Sequence, residues 1–198
     1  VYNVDAIIAA LQPRWAMKIL EVRRHSMRKA GGGSQLSQAG VDFARQLGAA
    51  LGPFARVVTT VAPRTRETAI AMGFAVDYEL ISLVSDDALY AEAERTRWWA
   101  AAQPFVALAD VLAEHGATWR YGSALAALWR DILTDLPDDT TALVISHSGE
   151  IEIALTCCFP EASHIAWGGA FGPCEGARLH FGGEPERFIK VELLRNMP

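Results

Sequence analysis

The chain has 198 residues, 51% hydrophobic and 21% charged, which suits one well-packed soluble domain and hardly two. Its formal net charge of −5 argues against nonspecific attachment to nucleic acid or to an anionic membrane as the main function. The three cysteines, Cys157, Cys158 and Cys174, have neither metal-ligand spacing nor the even count of a disulfide framework, so a reducing, cytoplasmic setting is expected.

Residues 1–16 read as an N-terminal extension, a short amphipathic helix ended near Pro13. Its apolar run, residues 6–11, is too short to span a bilayer and lacks the flanks of a signal peptide. Residues 18–22 predict a buried first strand, and at its carboxyl end comes a loop holding Arg23, Arg24, His25, Arg28 and Lys29. Open α/β sheets bind their ligands at that edge. Residues 14–29 carry seven basic side chains against one acid, Glu21, and such a cluster in an acidic chain marks an anion site.

Gly31-Gly32-Gly33-Ser34 reads as a surface loop, without the spacing of a nucleotide phosphate loop. Ser37 caps a helix whose apolar face is Val41, Ala44, Leu47 and Leu51, and Gly52-Pro53 stops it. The β-branched residues 56–60 predict a second strand, Pro63 opens the next helix, and residues 76–80 predict a short third strand. Residues 82–136 predict two or three helices, broken near Pro104 and at Gly116, forming a flank or lid. In this acidic setting Trp98, Trp99, Trp119 and Trp129 are packing residues rather than base-stacking platforms. Residues 141–145 form a buried strand ending at Ser146-His147-Ser148-Gly149, with an apolar helix over 151–159 behind it. Two last strands, 176–181 and 188–194, meet at Gly182-Gly183. The alternation predicts a three-layer α/β/α sandwich with a mainly parallel sheet, a single domain over 17–198.

Three strand ends now deliver chemistry to one edge: Arg24 and His25, then Arg64, then His147. Two forked guanidinium groups and two imidazoles suit a tetrahedral anion.

These residues carry a resemblance. Arg24-His25-Ser26 resembles the Arg-His-Gly signature of the histidine phosphatase superfamily, the phosphoglycerate mutase-like proteins. Leu36-Ser37-Gln38-Ala39-Gly40 resembles that family's Leu-Thr-x-x-Gly helix start. Thr59-Thr60-Val61-Ala62-Pro63-Arg64 and the following Thr65-Arg66-Glu67-Thr68-Ala69 resemble its Ser-Ser-Pro-Leu-x-Arg-Ala-x-Gln-Thr-Ala block, and Ile145-Ser146-His147-Ser148-Gly149 its Val-Ser-His-Gly block. The match spans roughly residues 17–156. It implies that His25 is a nucleophile that becomes a phosphohistidine and that Arg24, Arg64 and His147 bind phosphate, with Arg28 a further contact. No metal and no cofactor are implied. The nucleophilic ring needs one nitrogen unprotonated and the other held, and a backbone carbonyl near residues 31–34 or Gly40 is expected to hold it.

The chain also departs from the family pattern. Ser26 and Ser148 stand where the family has glycine, and Ser82 follows Leu80-Ile81 where many relatives carry a glutamate that protonates the leaving oxygen. Glu79, Asp86, Asp87 and Glu150 are the candidates for that role. The leading reading is a phosphomonoester hydrolase acting on a small phosphorylated metabolite or a phosphoprotein. A protein phosphohistidine phosphatase, a phosphomutase and a non-catalytic phosphate-binding protein are the alternatives. No nucleic-acid or membrane partner is expected.

Overall fold

The computed structural model describes residues 17–81 and 87–196, so the proposed extension over 1–16, as well as Ser82 and Asp86, lie outside the described residues. Six strands form one sheet in the order β3-β2-β4-β1-β5-β6. They are β1 (Lys18–Arg24), β2 (Arg56–Thr60), β3 (Tyr78–Leu80), β4 (Thr141–Ser146), β5 (Gly176–Gly182) and β6 (Arg187–Leu194). Strands β3, β2, β4 and β1 run parallel, while β5 is antiparallel to both β1 and β6. The third strand is shorter than the expected 76–80: the Asp77 N–H still donates to the Val57 carbonyl, but the Val57 N–H is taken by the Asp77 side chain instead of by a backbone carbonyl.

The described helices are α1 (Gln38–Gly48), α2 (Pro63–Ala71), α3 (Asp87–Thr96), α4 (Pro104–Ala113), α5 (Ala117–Thr134) and α6 (Glu150–Cys158). Strand alternation sends Leu20, Val22, Val58, Ala142 and Val144 to one face, against Trp129, Ile132 and Leu133 of α5 and Ile151, Ala154 and Leu155 of α6. Val57, Leu143 and Ile145 point to the other face, against Ala44 of α1 and Ala69 of α2. This is the three-layer sandwich expected from the alternation of elements. The segment expected to flank the sheet contains α3, α4, α5 and a 3-10 turn, Trp98–Ala100. Trp98 seals a small separate core with Leu108, Val111, Leu112 and Ile153. No helix among the described residues is long and apolar enough to cross a membrane.

Helix α1 starts where the sequence places it: Ser37 is the N-cap, accepting the Gly40 N–H at 3.0 Å. Gly40 packs directly on the cationic loop, and a β-carbon there would lie 2.2 Å from the Met27 carbonyl oxygen. Gly40→Ala should therefore lower stability by about 1–3 kcal/mol through overpacking. The shift of its urea midpoint, with unchanged m-value, measures this; an unshifted midpoint would show that the loop yields freely.

Candidate active site

The site is built where β2, β4 and β1 end side by side. Register pairs Arg24 with Ser146 and Thr59 with Ile145, so the residues just past each strand share one edge. The His25 N–H continues the ladder by donating to the Ser146 carbonyl at 2.9 Å. The His25 and His147 rings then stand edge-to-face with centroids 5.4 Å apart. Arg64, on the first turn of α2, reaches His147 Nδ1 at 3.1 Å and Ser34 Oγ at 3.0 Å. Arg24 donates to the Phe171 carbonyl at 2.6 Å. The expected four residues, Arg24, His25, Arg64 and His147, are thus together.

His25 is held by its neighbour rather than by the glycine loop. Its Nδ1 lies 2.7 Å from the Ser26 carbonyl oxygen, which only accepts, so Nδ1 carries the proton and Nε2 the lone pair. The Gly40 carbonyl instead accepts the Ser26 hydroxyl at 2.7 Å, and the Ser26 N–H donates to Thr68 Oγ1 at 3.0 Å. Ser26 therefore anchors the loop to α1 and α2. Burial pulls the pKa of His25 down to about 4, against the Ser26 carbonyl and with help from Arg64, Arg24 and Arg28.

His147 is more committed than the sequence suggests. Arg64 donates to its Nδ1, so its Nε2–H donates to Thr60 Oγ1 at 2.9 Å. Thr60 Oγ1 is 3.0 Å from Thr65 Oγ1, which lies within 2.9 Å of the Thr60 carbonyl and 2.7 Å of the Ala62 carbonyl. The protons are directed one way along this chain, from imidazole to hydroxyl to hydroxyl to carbonyl. With both ring nitrogens engaged, His147 orients Arg64 rather than offering a free donor. Burial, then Arg64, His25, Arg24 and Arg28, lower its pKa to about 3.

The cationic cluster divides. Arg23 turns to the opposite side, where it is buried against Glu21 at 2.6 Å, and Glu21 also holds Arg178 at 2.7 Å. Arg28 is exposed in a bridge with Leu36, yet close enough to disfavour positive charge on His25 and His147. Arg24 and Arg64 each bury an Nε–H with no acceptor among the described residues, which is the donor set an anion would use. Burial and Arg28 lower the pKa of Arg64 from its usual value, and Glu150 opposes them.

Among the four proton-donor candidates, Glu79 pairs with Arg66 at the surface, and Asp87 is exposed at the start of α3. Asp86 lies outside the described residues. Glu150 lines the same cleft as Arg64 and His147. It accepts Ser146 Oγ at 2.6 Å and faces the Tyr121 hydroxyl at 3.4 Å. Burial raises its pKa above the usual carboxylate value, against those two hydrogen bonds and Arg64. Gly149, at φ +91°, makes the turn that places Glu150 at the start of α6, a conformation open chiefly to glycine.

One supporting residue escaped the sequence reading. Glu152, fully buried, accepts Ser148 Oγ at 3.0 Å and the Phe171 N–H at 2.9 Å. It thereby fixes the loop whose Phe171 carbonyl holds Arg24. Only the folded chain brings that partner, nineteen residues away, within reach.

His25, buried, and His147, partly buried, are both held neutral, which couples stability to pH. Their folded pKa values, about 4 and about 3, lie below the ordinary 6.5, so the unfolded chain binds more protons below pH 6.5. Stability should be unaffected by these groups above pH 6.5 and fall as pH drops toward 4 and then 3. Urea midpoints at pH 7 and pH 4.5 test this, and His147→Gln should show a smaller drop than the parent protein.

Neither a family model nor a curated protein matches the chain by sequence. Solved structures do match by shape. Phosphoserine phosphatase from Entamoeba histolytica, in complex with 3-phosphoglyceric acid, is 12% identical with TM-score 0.55, covering 91% of this chain and 98% of its own. Phosphoglycerate mutase from Bacillus anthracis strain Sterne is 14% identical with TM-score 0.55, covering 84% and 88%. A mycobacterial glucosyl-3-phosphoglycerate phosphatase complexed with VO3 is 17% identical with TM-score 0.52, covering 92% and 100%. At identities this low, the likeness is one of fold, and the fold is phosphoglycerate mutase-like.

Proposed function

We propose that this chain is a phosphomonoester hydrolase that works through a phosphohistidine on His25. The observation that carries the reading is a neutral imidazole with its Nδ1–H fixed on a carbonyl, set among Arg24, Arg64 and Arg28. A ring held in that tautomer keeps its Nε2 lone pair free to attack phosphorus. The arginines favour the dianionic substrate while keeping the ring unprotonated, so binding and nucleophilicity do not conflict.

In the first step the Nε2–P bond forms as the ester P–O bond breaks, and the leaving oxygen takes a proton from Glu150. Arg24 and Arg64, with Arg28 at the rim, stabilise the charge on the three equatorial oxygens. His147 keeps the Arg64 fork aimed. In the second step the Glu150 carboxylate takes a proton from water as that water attacks phosphorus, the P–N bond breaks, and phosphate leaves with His25 neutral again. Protonated Glu150 is needed in the first step and ionised Glu150 in the second, a cycle suited to a carboxyl of raised pKa.

Incubation with an aryl phosphate should release inorganic phosphate. An alkaline quench during turnover should trap one acid-labile phosphate on the peptide bearing His25. Turnover with no such label would reject the covalent mechanism. Release of free phosphate, rather than its transfer between positions of a sugar acid, separates hydrolase from mutase.

A further inference from the structure

The phosphate site opens into a cleft of about 360 Å³, within the range of small-ligand pockets. Its far wall includes Leu89, Tyr90, Trp98, Trp99, Tyr121 and Ile153. Among the described residues Arg64 is the single cation lining it, and Arg64 belongs to the phosphate end. A second opening, of about 320 Å³, shares Trp98, Trp99, Ser148 and Gly149 and extends the aromatic wall toward Ala170.

The wall is preformed. Trp98 is only 4% exposed, fixed in its own small core, whereas Trp99 is 40% exposed and stands against it at 84° with centroids 5.8 Å apart. Arg97 makes the turn into these residues in a left-handed conformation, φ +44°. An indole wall whose inner ring is already fixed by packing offers large contact area at reduced ordering cost. A substrate carboxylate or second phosphate in this part of the cleft meets rings, aliphatic groups and neutral hydroxyls, with the Glu150 carboxylate nearby and no cation among the described residues to pair it.

We infer that the site selects phosphomonoesters whose alcohol moiety is an uncharged aromatic group, and discriminates against esters carrying a carboxylate. The inference rests on the phosphate-binding reading above and adds the class of the organic part. Trp99 is the specificity-determining residue, because its exposed face is the part of the wall a bound ring stacks on.

The test separates recognition from turnover. Calorimetry should show 1-naphthylmethylphosphonate binding about 30-fold tighter than 2-carboxyethylphosphonate, the scale expected for burying one bicyclic ring. In turnover, 2-(1-naphthyl)ethyl phosphate should exceed 3-phosphoglycerate in kcat/KM by a similar factor, and both are esters of alkyl alcohols. Trp99→Ala should shrink both ratios about tenfold, and Trp99→Lys should shift them further toward the carboxylate. Equal or tighter binding of the carboxyethyl compound overturns the inference, as does saturable binding of neither phosphonate or a ratio unmoved by both Trp99 variants. Tight naphthyl binding without hydrolysis of any ester sustains it while the hydrolase reading falls.

Discussion

His25→Ala should lose about 10⁴-fold or more in kcat/KM toward a phosphomonoester, the scale seen when a covalent nucleophile is removed from its catalytic unit. The variant lacks the only lone pair that the Ser26 carbonyl orients at this edge of the sheet. No other described side chain replaces it, since both ring nitrogens of His147 are engaged by Arg64 and Thr60. The guanidinium groups of Arg24 and Arg64 remain, anchored on Phe171 and on Ser34 and His147, so inorganic phosphate should still bind. Loss of turnover and label with retained phosphate affinity is the expected pattern. Turnover within tenfold of the parent protein would remove His25 from the mechanism.

Glu150→Gln should cost about 10²–10⁴-fold on an alkyl phosphate, the range for loss of a general acid or base. Glutamine can still accept the Ser146 hydroxyl, so the local structure has reason to persist. The loss should be much smaller in the phosphorylation step with 4-nitrophenyl phosphate, whose leaving oxygen needs no proton. Burst amplitude and steady-state rate separate the two steps. The pH profile adds a second readout: the parent protein should lose activity as His25 protonates near pH 4 and again above the raised pKa of Glu150. The phosphorylation step of Glu150→Gln should keep the acid limb and lose the alkaline one. Equal losses on both esters would reassign Glu150 to a structural role.

The strands and the strand-end residues were legible because their signals are local. An apolar run followed by Arg24 and His25, and another followed by His147, announces a strand delivering a polar loop, and parallel order then brings the ends together. Partnerships across the fold were not legible. Arg23 looks like another pocket cation, yet its place on β1 sends it to Glu21 and Cys174 instead. The glycine loop gave no hint that Ser34 would accept from Arg64, and the carbonyl that orients His25 was sought there or at Gly40 rather than at Ser26. Glu150 stood among four candidates until its burial and its position in the cleft set it apart. Short-range spacing determines where a chain turns, whereas side-chain partners depend on packing between distant elements.

The Ser26 carbonyl has a consequence for how the proposed phosphohistidine should be recognised. Phosphohistidine exists as two positional isomers, and occupation of Nδ1 by that carbonyl permits only the tele form. An isomer-selective antibody or a phosphorus NMR spectrum of the trapped protein should therefore report a single regioisomer. A pi-linked phosphate would mean that the ring had flipped away from Ser26 before reacting.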